Sequence, residues 1–324
     1  MRHALQIMLK YVLKRILWAI PVVICVAILI FCIMRMAGGD PARQLVGIDA
    51  TEEEYNQMRE KLGLDDPFIV QLASYLGNLF LKGDLGTSYM THTSISKDMA
   101  VRVPYSILIG FASIVISVIL GIWLGMQSAI HAGKWQDKAC MVFALGGVSM
   151  PTFWLALILL LLFAVKLRWL PAAGVGGFKY YIIPVLSVSF HGIASFARQT
   201  RSSMLEVIRS DYVITAKAKG LSSREVIYKH ALPNALIPIV TMIGTHFAIM
   251  ISGSVEIETI FSIPGTGVYL TTAINNRDYP VVQSVIVVIS LIFCLSMVAV
   301  DIAYAFLDPR IKARYTASKK KARK

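Results

Sequence analysis

Six long apolar runs constrain the fold of this chain more than any other feature. They lie near residues 14–36, 105–129, 138–165, 181–200, 232–256 and 281–307. Each is about 20 residues or longer, the length that a helix needs to cross the hydrocarbon core of a bilayer. In lipid the backbone polar groups must be paired inside the protein, and a helix pairs its own. The sequence therefore predicts an all-α fold, a polytopic membrane bundle of six transmembrane helices.

The composition agrees with a bilayer-embedded chain, since 56% of its 324 residues are hydrophobic. The net charge of +13 raises the question of nucleic-acid binding. No basic run is interleaved with aromatic residues, as such binding requires. Lysine and arginine also collect in the cytoplasmic loops of membrane proteins, which explains the charge without a nucleic acid. We expect a lipid bilayer around the chain and no nucleic-acid partner.

The distribution of charge predicts the orientation. Basic residues predominate before the first span, in residues 198–230 and after residue 307, whereas residues 37–104 carry ten acids and six bases. The positive-inside rule then places both termini and 198–230 in the cytoplasm and 37–104 outside. The short basic loop 166–179 opposes this assignment. The first span follows two basic residues and lacks an Ala-x-Ala cleavage site, so we interpret it as a retained signal anchor.

Residues 37–104 are too long for a simple turn and contain helix signals. Thr51 and Glu54 predict a capping box, and Gly63 predicts a helix stop. A second helix is expected from Pro67 to about Leu81. We therefore divide the chain into a cytoplasmic N-terminus with the first span (1–36), an external subdomain (37–104), a membrane core (105–307) with a cytoplasmic loop (201–231), and a basic tail (308–324). The subdomain could cover the entrance of a pathway or pack on the spans.

A polar stretch between the fourth and fifth spans, residues 211–233, is called the elbow below. Asp211 can cap a first short helix, and Gly220 suits the left-handed stop of that helix. Ser222 and Glu225 predict a capping box for a second helix, which Leu232-Pro233 is expected to end. Two short helices that meet at a glycine between membrane spans are expected to contact something outside the bilayer.

A second unusual segment, 256–267, follows the fifth span. It is too polar to cross the membrane and too apolar for a solvated loop, so we expect a partly re-entrant segment at the outer mouth. Its candidate residues are Glu256, Glu258, Phe261, Pro264 and Gly265. The ionisable residues in or near spans are functional candidates or structural hydrogen-bonding groups, and both readings stay open: His191, His246, Glu256, Glu258 and Asp301.

Motifs for catalysis are absent from the sequence. It contains no phosphate-binding Gly-x-x-x-x-Gly-Lys-Ser/Thr, no His-Glu-x-x-His, no Cys-x-x-Cys and no Gly-x-Ser-x-Gly. The four cysteines lie in apolar runs without metal-ligand spacing. We therefore expect no catalytic residue, no metal site and no cofactor. If ATP drives transport here, the ATPase must be another polypeptide.

The elbow also carries a family resemblance. Ile214-Thr215-Ala216, Gly220 and Leu232-Pro233 have the spacing of the Glu-Ala-Ala loop of bacterial ABC importer permeases. Ile214 replaces the glutamate, Thr215 the first alanine, and His230 stands where isoleucine is usual. These departures resemble the dipeptide/oligopeptide/nickel branch, whose common form is Thr-Ala-x-Ala-x-Gly-Leu. Further segments resemble that branch, and its B-type subunit in particular: Gly63-Leu64-Asp65, Gly83-Asp84-Leu85-Gly86-Thr87-Ser88, Glu258-Thr259-Ile260-Phe261, Asp278-Tyr279-Pro280 and Asp308-Pro309-Arg310.

The resemblance implies a non-catalytic, multi-pass permease subunit of an ATP-driven importer in the bacterial inner membrane. It implies alternating access for di- or oligopeptides, with nickel chelates, opines or glutathione as alternative cargoes. The implied partners are a homologous second permease subunit, cytoplasmic ABC ATPases and an external solute-binding protein. The implied ATPase-coupling residues are Asp211, Thr215, Ala216, Ala218, Gly220, Leu221, Leu232 and Pro233. A stand-alone channel or secondary carrier is the rival class.

Overall fold

The computed structural model describes residues 2–36, 40–47, 49–252 and 255–307. In chain order, the α-helices are α1 (Arg2–Met36), α2 (Pro41–Val46), α3 (Glu52–Lys61), α4 (Phe68–Leu81), α5 (Ile95–Ile130), α6 (Trp135–Ser149), α7 (Thr152–Leu159), α8 (Lys179–Ile208), α9 (Asp211–Ala218), α10 (Ser223–Glu225), α11 (Leu232–Ser252), α12 (Val255–Ile260), α13 (Thr266–Asn275) and α14 (Tyr279–Leu307). Two π-helical segments, Leu160–Lys166 and Val226–Ala231, directly follow α7 and α10. The predicted all-α fold is confirmed.

The described helices include five that are long and apolar enough to cross a membrane. They are Val12–Met36, Ile95–Ile130, Lys179–Ile208, Ser223–Phe247 and Tyr279–Val300. α6 and the helical stretch from Thr152 to Lys166 meet at 104°, and counting this bent pair as one broken span gives six. The apolar run near 138–165 is therefore built from two helical pieces that meet at Met150 and Pro151. Pro151 explains the break, since a proline forces the residue before it, Met150, into an extended conformation.

Two spans extend beyond the apolar runs that predicted them. α5 begins at Ile95 rather than near 105, and α8 continues to Ile208 rather than ending near 200. Ile95 and Met99, in the early turns of α5, are buried. A span prediction counts only apolar residues, so it misses polar turns that a helix keeps because one of its faces is packed.

The chain divides into two compact units. The first unit consists of Met1–Ile16, Ile107–Ile263 and Leu295–Lys324, and the second of Leu17–Ser106 and Pro264–Cys294. In the first unit, α5 and α8 are in close contact. A Cβ atom on Gly125 of α5 would lie 2.4 Å from the carbonyl oxygen of Ala197 in α8. Small residues thus let the two backbones approach, as is common where membrane helices pack.

The second unit confirms several local predictions. Thr51 and Glu54 form a complete capping box at the start of α3, and Gly63 adopts a left-handed φ of 62°. α4 runs from Phe68 to Leu81, with Pro67 at its N-cap position. Residues 37–104 do not cluster alone in the described part of the chain, because their described members belong to one unit with 17–36 and 264–294. Their assignment as a separate external subdomain stays a prediction.

A buried carboxylate anchors a loop in the second unit. Asp278, 3% exposed, accepts hydrogen bonds from the Ser88 hydroxyl at 2.5 Å and from the backbone N–H groups of Tyr89 at 3.1 Å and Met90 at 3.3 Å. Burial, aided by the Asp278 charge, raises the pKa of Tyr89 to about 12. The start of α14 and the loop before α5 are therefore held together by charge-assisted hydrogen bonds.

Candidate functional site

The elbow begins directly after α8, with only Arg209 and Ser210 between α8 and α9. Ser210 occupies the N-cap position, and its hydroxyl donates to the carbonyl oxygen of Val207 at 2.6 Å instead of capping α9. The predicted cap at Asp211 is therefore wrong, because Asp211 is the first residue of the helix. Its carboxylate still lies at the end of α9 where the helix dipole favours a negative charge.

Gly220 ends the first elbow helix as predicted. Its φ is 79°, and its N–H donates to the carbonyl oxygen of Lys217 at 3.0 Å. Among the described residues other than its two chain neighbours, none places an atom within 4 Å of the position that a Cβ would take. A side chain here has space but an unfavourable backbone conformation, so glycine is required by φ alone.

The second elbow helix begins as predicted but does not end as predicted. Ser222 accepts the N–H of Glu225 at 3.3 Å, and Glu225 pairs with Lys229 at 3.1 Å. The expected stop at Leu232-Pro233 is wrong, because the chain stays helical through Val226–Ala231 into α11. The wider π-helical turns before Pro233 suit a residue that has no N–H to donate and whose ring crowds the preceding turn.

One face of α9 is buried within the first unit. Val213 and Ala216, 0% and 7% exposed, belong to one apolar cluster with Met126 and Ala129 of α5 and Met204 of α8. This cluster is called the elbow seat below. The expectation that Ala216 forms part of a partner surface is wrong for this side chain, because its own chain covers it.

The rest of the surface of α9 is exposed and partly apolar. Tyr212 and Ile214 are 46% and 55% exposed. Among the other predicted coupling residues, Asp211, Thr215, Ala218, Gly220 and Pro233 are exposed, whereas Leu221 and Leu232 are half-buried against the elbow seat. The sequence motif therefore joins residues that hold the elbow in place and residues that remain available to a partner.

An ion pair beside the elbow seat was not identified from the sequence. Arg201 of α8 binds Asp137 of α6 through two bonds, Nε to Oδ1 at 2.6 Å and a terminal guanidinium nitrogen to Oδ2 at 2.8 Å. The partners are 64 positions apart, so no local pattern connects them. The one available signal is that Asp137 is the only acidic residue between Asp98 and Glu206.

The candidate outer-mouth residues are distributed over both units. In the first unit Glu256 is exposed, Glu258 and Phe261 are buried, and the Phe261 carbonyl oxygen accepts the N–H of Gly174 at 2.7 Å. In the second unit Pro264 is half-buried and Gly265 is buried. The described side chains hold no cluster of His, Cys, Asp or Glu that fits a metal ion.

Two further ionisable candidates are His246 and Asp301. His246 packs against Phe196 with ring centroids 5.0 Å apart, which fits a packing role. The side chain of Asp301 and the predicted basic tail, 308–324, lie outside the described residues.

Comparison with known proteins identifies the family. Residues 117–313 match the family described as "Binding-protein-dependent transport system inner membrane component", and residues 8–109 match the corresponding N-terminal family. The chain belongs to this family of ABC importer permeases. Curated relatives include the "Glutathione transport system permease protein GsiC" of Salmonella choleraesuis (strain SC-B67) and that of Escherichia coli (strain K12). Each is 38% identical over 305 residues, which cover 94% of this chain and 99% of the relative.

A solved structure supports the fold of this permease. It is titled "Inward facing conformations of the MetNI methionine ABC transporter: CY5 native crystal form". The TM-score is 0.55 at 16% identity, and the match covers 65% of this chain and 96% of the other.

The family settles the functional class. This chain is a non-catalytic, multi-pass permease subunit of an ABC importer in the inner membrane, and a separate subunit hydrolyses ATP. Binding-protein dependence implies ATPase and solute-binding partners. The rival class of a stand-alone channel or carrier does not fit this family.

Proposed function

We propose that the elbow is the surface through which this permease subunit receives the movement of its ATPase. The observation that carries the proposal is the division of α9 into a seated face, with Val213 and Ala216, and an exposed face, with Tyr212 and Ile214. A helix fixed on one side can transmit a push to the spans below it as a rigid-body motion. Exposed apolar side chains on the other side favour contact with a protein partner.

The proposed orientation places the elbow and both termini in the cytoplasm, where ATP is available. The excess of basic residues in 198–230 and after 307 supports this arrangement. Fusions of an export-dependent reporter after Asp49 and at Lys324 test it. We expect the reporter to be active when it is fused after Asp49 and inactive when it is fused at Lys324. Reporter activity at Lys324 would refute the proposed orientation.

Gly220 provides the test of the coupling role. Gly220→Val strains the backbone because φ is 79°, and this changes the angle between the two elbow helices. Gly83→Val is the matched control: Gly83 has a φ of 65°, also has nothing within 4 Å of a Cβ, and lies in the second unit. We expect Gly220→Val to reach the membrane normally and to lose ATPase co-purification and ATP-driven uptake, while Gly83→Val keeps both. Normal ATPase binding and uptake by Gly220→Val would refute the coupling role.

The proposed cargo is a small peptide, with glutathione included in that class. The names of the relatives and the peptide branch that the sequence resembles support this class. The test is uptake into proteoliposomes that hold the full complex and its binding protein. Labelled dipeptide, labelled glutathione and a nickel chelate are compared under ATP. Uptake of the nickel chelate alone would overturn the peptide assignment.

We also propose that this subunit pairs with a homologous second permease subunit. A second assignment is that residues 256–267 narrow the external end of the pathway. The burial of Glu258 and Phe261 supports a fixed, protein-covered segment. Single cysteines at Glu256 and Ser262, both exposed, test the second assignment. Their reaction with a polar thiol reagent should differ between nucleotide-free and ATP-trapped complexes. Equal reaction in both states would indicate static packing.

A further inference from the structure

We propose that Asp137 and Arg201 are a positioning pair that makes α6 move together with the elbow. The inference rests on the proposed coupling role of the elbow and adds a path for the movement beyond the elbow seat. It concerns residues that do not belong to the elbow.

The Asp137 carboxylate accepts hydrogen bonds from three separate parts of the chain. The Ser128 hydroxyl in α5 donates at 2.5 Å, and the N–H of Gly133 in the following loop donates at 2.9 Å. The two remaining donors come from Arg201 of α8, at 2.6 and 2.8 Å. One side chain that is only 4% exposed therefore joins α5, α6 and α8.

The same part of α8 contacts the elbow seat. Gly125 of α5 lies so close to α8 that a Cβ on it would lie 3.0 Å from the backbone nitrogen of Arg201. Met126, the residue after Gly125, belongs to the elbow seat. Met204 of α8, three residues after Arg201, belongs to it as well. A displacement of α9 therefore acts on α5 and α8 directly, at the level where Asp137 ties α6 to them.

A two-bond ion pair is suited to this task because it fixes direction as well as distance. The planar guanidinium binds the carboxylate through two parallel hydrogen bonds, so α6 cannot rotate freely against α8. A buried carboxylate also has a strong preference to keep its partner, since an unpaired charge there is costly. Farther along α6, Gly147 lies close to Ala194 of α8, and this apolar contact is not directional in the way that a two-bond ion pair is.

Distances between spin labels test the proposal on the complete complex. The four cysteines are replaced by alanine, and labels are attached at Val142 in α6, which is 72% exposed, and at Lys219 in the elbow, which is exposed. With the pair intact, we expect one narrow distance distribution that is the same in nucleotide-free and ATP-trapped complexes. Asp137→Asn should broaden the distribution or shift it on trapping, with ATPase still bound and uptake per hydrolysed ATP reduced.

Two further variants separate positioning from general stability. Arg201→Lys keeps the charge but loses the two-bond geometry, so it should also broaden the distribution, and it replaces Asp137→Asn if that variant does not fold. Lys138→Gln removes an exposed neighbouring charge and should behave as the parent protein. Unchanged distances in Arg201→Lys, or equal broadening in Lys138→Gln, would overturn the proposal. If the coupling role of the elbow is itself wrong, a different experiment shows it: Gly220→Val will retain the ATPase and support normal uptake.

Discussion

Ser117 of α5 donates its hydroxyl proton to the backbone carbonyl oxygen of Ser189 in α8 at 3.0 Å. The single hydroxyl proton of Ser189 is shared between the carbonyl oxygen of Val185 in α8, at 2.6 Å, and that of Ser113 in α5, at 3.3 Å. Gly121 and Gly125 continue the same face of α5 at four-residue intervals, and both lie against the α8 backbone. Hydrogen bonds and close approach together make α5 and α8 a rigid pair, which the elbow would move as one body.

This contact predicts opposite effects for two glycine substitutions. Gly125→Ala places a methyl group 2.4 Å from the Ala197 carbonyl oxygen, so α8 must shift, at a cost of about 1–3 kcal/mol. Gly146→Ala, in α6, meets no atom within 4 Å and should gain roughly 0.5–1 kcal/mol of helix stability. Thermal unfolding of the purified permease measures both. Equal stability of the two variants would contradict the close packing of α5 on α8.

Asp278 should determine how firmly the loop at Ser88–Met90 is held in place. Asp278→Asn keeps the shape but removes the charge that holds the Ser88 hydroxyl and two backbone N–H groups, which we expect to cost about 1.5–3 kcal/mol. Hydrogen exchange at Tyr89 and Met90 should become faster. Asp84→Asn is the control, because Asp84 is exposed and accepts a local hydrogen bond from the N–H of Gly86 two residues on. Unchanged exchange in Asp278→Asn would show that the loop is held by other contacts.

Asp40 predicts a pH dependence of stability. Partial burial raises the pKa of this carboxyl, but the hydrogen bond from the Tyr55 hydroxyl, backbone N–H groups and the Arg59 charge lower it further, so the net pKa is depressed. A depressed pKa stabilises the fold above the usual value of about 3.9, and this contribution is lost as the pH falls below it.

The test compares the parent protein with Asp40→Asn, since asparagine caps α2 as well as aspartate but cannot ionise. The parent should have the higher melting temperature at pH 7. The difference should shrink when the pH is lowered through about 4. A difference that does not change with pH would mean that the charge of Asp40 contributes nothing.

Short-range signals account for what the sequence predicted correctly. The capping residues Thr51 and Ser222 and the left-handed stops at Gly63 and Gly220 depend on atoms within a few positions, so a single chain segment encodes them. Pro151 is recognisable in the sequence as a helix breaker inside the third apolar run, but hydropathy does not give the 104° angle at which the two helical pieces meet.

Long-range contacts account for what the sequence could not predict. The resemblance implies a coupling role for Ala216, but its burial depends on Met126 and Met204, which belong to other helices. The bond between Asp137 and Arg201 likewise requires α6 and α8 to be placed first. The elbow could therefore be found from the sequence, whereas its seated face and the pair beside it could not.

Cross-linking from neighbouring elbow residues tests the central claim most directly. In a chain without its native cysteines, Ile214→Cys and Val213→Cys each carry a short photoreactive thiol reagent in the assembled complex. Ile214 is 55% exposed and Val213 is 0% exposed, although they are adjacent. The account predicts cross-links to the ATPase from position 214 and none from position 213. Absence of ATPase cross-links from position 214, or equal yields from the two positions, would contradict the claim that the exposed face of α9 binds the ATPase.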